Sequence, residues 1–332
     1  MGDIVNFYEP VKKELPLVEK EIEKLIPKEP KEVYGMLLPF IQRGGKRIRP
    51  ILLLLCCGAT GGDKLKAIRH AALIEIFHSF TLIHDDICDN SLVRRGHPTI
   101  NVEYGVPIAV NSGDALYTLL WKWLSWTEMP YDKSVEIMRL CADAFLKVVE
   151  GQGIELGWYK KERFNIEEDE YFRMVEGKTA TLMELSCELG AIISDSPEDI
   201  RKALKSFGKN LGLAFQIRDD ILNLVGKFDE YKKEIGGDIT EGKRTLMVAY
   251  TLKTATKKDS AELIKILSKK TKKKTEINRA IDILKKYGSI EYANKKADEL
   301  TEAAKKMLDV LEDSPEKRAL LELADFVTRR TK

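Results

Sequence analysis

The sequence predicts an all-α protein. Leu, Ile, Ala, Glu and Lys dominate its 332 residues, apolar side chains recur every three or four positions, and no alternating Val/Thr/Tyr pattern persists. Helices are expected over 8–25 and 31–43, over 46–59 behind Gly44-Gly45, and over 64–89 behind Gly61-Gly62. Gly96-His97-Pro98 breaks the chain before a helix at 103–125, and Met129-Pro130 before one at 133–157. Periodic segments follow at 166–190 and 197–225, and Gly236-Gly237 precedes one at 241–254. The remainder reads as helices at 258–268, 274–287, 288–313 and 316–328, with the lysine run Lys269 to Lys274 in a solvated turn. With no repeat, low-complexity linker or boundary, residues 1–332 read as a single large helical domain.

Composition narrows the function. A formal net charge of +2 lacks the basic excess of a nucleic-acid-binding protein. Five cysteines (Cys56, Cys57, Cys88, Cys141, Cys187) form no CxxC pair and are read as reduced, buried thiols of a cytoplasmic protein. The N-terminus carries acids early and no apolar run, so it is not read as a signal peptide. Gly2 is followed by Asn6 where a myristoylation signal needs Ser or Thr. Ile51 to Cys57, the longest apolar run, is far too short to span a bilayer.

Two acidic clusters carry the chemistry: Asp85-Asp86-Ile87-Cys88-Asp89 and Asp219-Asp220-Ile221-Leu222-Asn223. Each lies in a helical stretch, so Asp85 and Asp89 share a face, with Asp86 one step round. The bland alternative is a solvated helix face. It is disfavoured because Leu82, Ile83 and Ile87 surround the acids, and acids in an apolar setting cost several kcal/mol unless paired or metal-bound. Oxygen donors suit Mg²⁺, which shares its shell with water and substrate phosphates. Two such clusters across a cavity would form a metal–diphosphate cage.

Basic groups complement them. Gly44-Gly45-Lys46-Arg47-Ile48-Arg49-Pro50 joins a flexible backbone to cations at the mouth of a helix, although it is no Walker A loop. Further cations stand at Arg94-Arg95, Lys178, Lys233 and Lys243, the last three in glycine-flanked settings that favour a loop over bound phosphate. Ordinary surface charge is the alternative for each. Arg218 reads as a salt-bridge partner, and Gln152 with Glu155 as a core pair or a further inward carboxylate. All four histidines lie between His70 and His97, with no zinc spacing. His78, seven residues before Asp85, shares its face and could hydrogen-bond an anion; His70 reads as structural and His97 as a turn residue.

Together these blocks resemble a trans-isoprenyl diphosphate synthase of the short-chain archaeal type. The resemblance rests on GGKRIRP at 44–50, EIFHSFTLIHDDICD at 75–89, RRG at 94–96, GQGIE at 151–155, GKT at 177–179, FQIRDDILN at 215–223 and KEIGGDITEGKRTL at 233–246. It implies a helical bundle around a deep central cavity and a homodimer. Asp85, Asp86 and Asp89 would bind Mg²⁺ and the allylic diphosphate, with Asp219 supplying the opposite metal contact and Asp220 acting through bound water. Lys178, Lys233, Lys243 and Arg94 would clamp the allylic diphosphate. Lys46, Arg49, His78 and Arg95, with Arg47 a weaker candidate, would hold isopentenyl diphosphate. Gln216 and Thr179 would line the cavity near the developing charge.

Two departures stand out: Asn223 ends the second motif where the family often has Asp, and Glu155 replaces an Asp. Phe80, five residues before Asp85, and Phe77 below it would close the cavity floor, implying a C20 product with C15 next; core packing is the plain alternative for both. A class I terpene cyclase would need an acid eight residues into its second motif, where Lys227 and Phe228 stand. A non-catalytic partner subunit would tend to lose the aspartate motifs that are kept here.

Overall fold

A computed structural model of the chain describes residues 6–126, 128–225 and 236–329. They are almost entirely helical, as expected. A 3₁₀ turn, Asn6–Val11, leads into α1 (Leu15–Leu25), α2 (Lys31–Tyr34), α3 (Leu37–Gln42), α4 (Ile48–Ala59) and α5 (Lys64–Cys88). A two-residue hairpin, β1 (Val93–Arg94) with β2 (His97–Pro98), precedes α6 (Ile100–Glu103), α7 (Val106–Leu124) and α8 (Tyr131–Lys160). Next come α9 (Glu168–Val175), a π-helical turn (Glu176–Ala180), α10 (Thr181–Ile193) and α11 (Glu198–Val225). The remaining helices are α12 (Gly237–Glu241), α13 (Leu246–Thr254), α14 (Lys257–Ser268), α15 (Lys274–Lys286), α16 (Ser289–Met307) and α17 (Pro315–Arg329).

Several expected helices are divided, among them 31–43, which falls into α2 and α3. The segment expected at 8–25 splits because Pro10 sits in the 3₁₀ turn and Pro16 near the start of α1, where a missing N–H is tolerated. The one at 166–190 is interrupted by the π turn. The one at 241–254 breaks at Gly242, whose φ of 69° ends α12.

By contacts the chain falls into two compact units. The first comprises Met1–Asp143, Leu185–Lys205 and Val310–Leu320. Its centre is α5, which packs against α1, α4 and α7. Ala71 through Phe77 are all buried, so α5 has no solvated face there, as befits a helix enclosed on every side. Asp63 fixes where it starts by accepting the Leu65 amide at 3.0 Å. That phase carries Asp85, Asp86 and Asp89 to its last turn.

The second unit comprises Ala144–Glu184, Ser206–Asp309 and Leu321–Lys332. Its core joins Met174 and Val175 to Leu213, Ile217 and Ile221, with Leu246 to Ala249, Leu284, Ala293 and Ala297. A capping box starts α9: Glu167 accepts from the first turn, and Glu170 accepts the Glu167 amide at 2.9 Å. This sets the phase that drives Tyr171 inward, where it is 1% exposed. Among the described residues, no helix is long and apolar enough to cross a membrane. The described cysteines are all unbridged; Cys88, expected to be buried, is exposed.

Candidate active site

The first acidic motif occupies the wrong end of a helix for its charge. Asp85 and Asp86 lie in the last turn of α5 and Asp89 is its C-cap, where the helix dipole disfavours carboxylates by roughly 0.3–1 kcal/mol each. Asp85 and Asp89 are half-buried, but Asp86 is only 1% exposed. Arg94, delivered by the hairpin, donates from Nε to Asp86 Oδ1 at 2.7 Å. Burial still raises the Asp86 pKa, with Arg94 opposing it. Asp86 Oδ2 is buried without a hydrogen-bond partner.

A basic cluster lies in the same unit. Arg49 is half-buried, its buried Nε lacks a hydrogen-bond partner, and desolvation pushes its pKa down to about 10 with Glu75 opposing. Burial and the charges of Arg49, Arg95, Arg94 and Arg47 hold the His78 imidazole well below its ordinary pKa, so it is neutral. Arg95 donates to the Gly44 carbonyl. A Cβ on Gly45, where φ is 132°, would come within 2.8 Å of the Arg95 guanidinium. Lys46 is exposed at the same turn.

Arg47 belongs elsewhere. It reaches Glu19 at 2.5 Å, Glu75 at 2.8 Å and the Ile41 carbonyl at 2.9 Å, so its donors serve the fold. Phe77 and Phe80 stack with ring centroids 5.5 Å apart, both in the core; Phe80 also meets His84 edge-on and lies 5.9 Å from Tyr117. Core packing and a floor role are therefore compatible for this pair.

The second motif is wired into a network of its own. Thr179 Oγ1 donates to Gln216 Oε1 at 2.9 Å, and Gln216 Nε2 donates to Asp220 Oδ1 at 2.8 Å. Tyr171 donates to Asp220 Oδ2 at 2.9 Å. Both Asp220 oxygens are thus occupied. Burial and the nearby Asp238 carboxylate push the Asp220 pKa up to about 8. Asp238 is likewise raised by burial, opposed by Lys243, whose ammonium lies 3.1 Å from Asp238 and 2.9 Å from Glu241. Lys178 pairs with Glu155 at 2.6 Å. Arg218 bonds Asn294 and Asp298, as its salt-bridge reading expected.

The glycines around Lys178 do not form a loop over an anion. Gly177, Lys178 and Thr179 sit inside the π turn, a distortion frequent at functional sites. Gly177 crosses Gly151 of α8 at backbone contact: a Cβ on Gly151 would meet the Lys178 nitrogen at 2.5 Å, and one on Gly177 the Lys147 carbonyl oxygen at 2.5 Å. That crossing brings Glu155 and Lys178 together. Lys233 lies outside the described residues.

Oxygen donors, an orphaned buried Asp86 oxygen and acids at a helix C-terminus fit a hard divalent cation. Among the described residues, no three acidic, His or Cys side chains converge to hold a metal by themselves. Mg²⁺ needs no such cage, since it is typically held by one or two carboxylates with water and substrate phosphates completing its shell.

The polyprenyl synthetase family model matches residues 30–284. The chain belongs to the polyprenyl synthetase family. Within that family it is 40% identical to the short chain isoprenyl diphosphate synthase of Methanothermobacter thermautotrophicus, over 87% of this chain and 88% of the relative. It is 36% identical to a geranylgeranyl pyrophosphate synthase of Geoglobus acetivorans, over 96% of this chain and 98% of that one. The crystal structure of geranylgeranyl pyrophosphate synthetase from Pyrococcus horikoshii Ot3 superposes with a TM-score of 0.93 at 36% identity, covering 98% of each chain.

Sequence reasoning missed Tyr171 and Arg244 in this polyprenyl synthetase family member. Arg244 is buried between the rings of Tyr159 and Phe164 and donates to the Arg163 and Gly242 carbonyls, at 3.0 and 2.6 Å. It steadies the turn that bears Lys243. Its only signal was adjacency to Lys243; Tyr171 had none, because its partner is 49 residues away.

Proposed function

We propose that this chain is a Mg²⁺-dependent prenyl transferase. It condenses isopentenyl diphosphate with an allylic diphosphate to a short-chain trans-prenyl diphosphate, C20 in preference to C15. Residues 1–332 serve as one catalytic domain. The observation that carries this reading is Asp86, buried in a family-matching motif with one oxygen on Arg94 and the other without a hydrogen-bond partner. The names of the relatives, geranylgeranyl synthases among them, support the product class.

In this reading Asp85, Asp86, Asp89 and Asp219 hold Mg²⁺. When bound, it neutralises charge growing on the leaving diphosphate. Arg94, Lys178, Lys233 and Lys243 bind the allylic diphosphate. The carboxylate partners of Lys178 and Lys243 keep both ammonium groups oriented before substrate arrives. Lys46, Arg49, Arg95 and neutral His78 hold isopentenyl diphosphate by charge and hydrogen bonds without metal. Thr179 and Gln216, locked to each other and to Asp220, present fixed dipoles near the allylic carbon as its C–O bond ionises. The isopentenyl double bond then attacks that carbon, and the proton lost from the adduct passes to the released diphosphate, with Phe77 and Phe80 flooring an apolar site that excludes water.

The chain pairs as a homodimer in this reading, for which the exposed Val106, Ile108 and Val110 of α7 offer apolar surface. A cytoplasmic location suits the unbridged cysteines.

Pyrophosphate release by the purified chain tests the reaction. It should require both diphosphates and Mg²⁺, and fall roughly 100-fold or more in Asp86→Asn and Asp219→Asn. Release that does not depend on isopentenyl diphosphate would mean hydrolysis or cyclisation instead.

A further inference from the structure

We infer that Asn223 is a positioning residue for the segment bearing Asp238 and Lys243, rather than a metal ligand. The inference rests on the proposed function for its kinetic consequence alone. Asn223 is 9% exposed, one turn beyond Asp219 in α11. Its side-chain Oδ1 accepts the Asp238 amide at 2.9 Å, and its backbone carbonyl accepts the Gly236 amide at 2.7 Å. The acceptor a metal would use is therefore committed to the protein.

The contact is a close one. A Cβ on Gly237 would lie 3.3 Å from Asn223 Nδ2, so the glycine lets the turn settle against the amide. From there the geometry passes along the chain. The Asp238 carbonyl accepts the Lys243 amide at 2.8 Å, and the Asp238 carboxylate pairs with the Lys243 ammonium at 3.1 Å. Asn223 thus supplies from outside the cap that α12 lacks within its own sequence: Gly236 offers no side chain to the first turn.

The test uses the full chain with Asn223→Leu, which removes the acceptor, and Asn223→Asp, which keeps it. Asn223→Ala replaces the leucine variant if that does not fold. Hydrogen exchange of peptides spanning 236–243 should quicken in Asn223→Leu and remain slow in Asn223→Asp. The KM for the allylic diphosphate should rise roughly 10- to 100-fold in Asn223→Leu, with the KM for isopentenyl diphosphate unchanged and the aspartate variant restoring the allylic KM. Unchanged exchange, equal rises in both KM values, or failure of the aspartate to rescue would overturn the inference. Exchange needs no turnover, so a chain inactive in prenyl transfer would sink the proposed function and leave this test standing.

Discussion

Arg94 and Asp86 divide a carboxylate in two. Arg94 Nε holds Oδ1 at 2.7 Å, while Oδ2 is buried with no hydrogen-bond partner. A buried unsatisfied oxygen costs about 1–3 kcal/mol, and a cation bound there would recover that cost. Mg²⁺ with inorganic pyrophosphate should therefore stabilise the chain against heat, by about 2.7 kcal/mol at a hundred times the dissociation constant. Differential scanning calorimetry checks it. In Asp86→Asn the shift should disappear.

Arg47 and Lys46 are neighbours with opposite duties. Glu75, 2% exposed, is paired to Arg47, and removing one partner of a buried pair costs about 3–5 kcal/mol. Arg47→Met should lower the urea midpoint sharply. Lys46→Ala, at an exposed position, should leave stability within about 0.5 kcal/mol and raise the KM for isopentenyl diphosphate.

Asp220 gives the apo chain a pH dependence of a particular sign. Its folded pKa, pushed up to about 8 by burial and by Asp238, lies above the unfolded value, so the folded state binds the extra proton. The stabilisation is complete below the unfolded pKa and is lost as pH rises through the folded one. With EDTA present, unfolding free energy should fall between about pH 4 and pH 8. Asp220→Asn should flatten that decline in urea titrations across the range.

Two glycines of one motif should behave differently. Gly151→Ala places a Cβ 2.5 Å from the Lys178 nitrogen, an overpacking that costs about 1–3 kcal/mol or more and separates Glu155 from Lys178. Gly153 is exposed in α8 with nothing within 4 Å of its Cβ position, so Gly153→Ala should gain up to about 1 kcal/mol. Thermal unfolding of the pair separates the two roles.

Most of the helices were legible because apolar periodicity and Gly/Pro breaks are local signals. The failures were local competitions that periodicity does not register, such as Pro10 and Pro16 dividing the first segment. Within the candidate site, residue types at motif spacing singled out the aspartates and cations as candidates. They could not reveal which cations are already spent. Arg47 looks like Arg49 in the sequence, yet it answers to Glu19 and Glu75, which lie 28 residues away on either side. The capture of Asp220 by Tyr171 and of Asp238 by Asn223 likewise depends on contacts made only after folding.

The most direct test of prenyl transfer is mass spectrometry of the products formed from Mg²⁺, isopentenyl diphosphate and dimethylallyl diphosphate. A predominantly C20 diphosphate is the expected result, and Phe80→Ala should lengthen it. A C15 product would keep the chemistry and place the floor above Phe80. No condensation, even with longer allylic primers, would contradict a stand-alone synthase and leave a non-catalytic partner subunit as the reading.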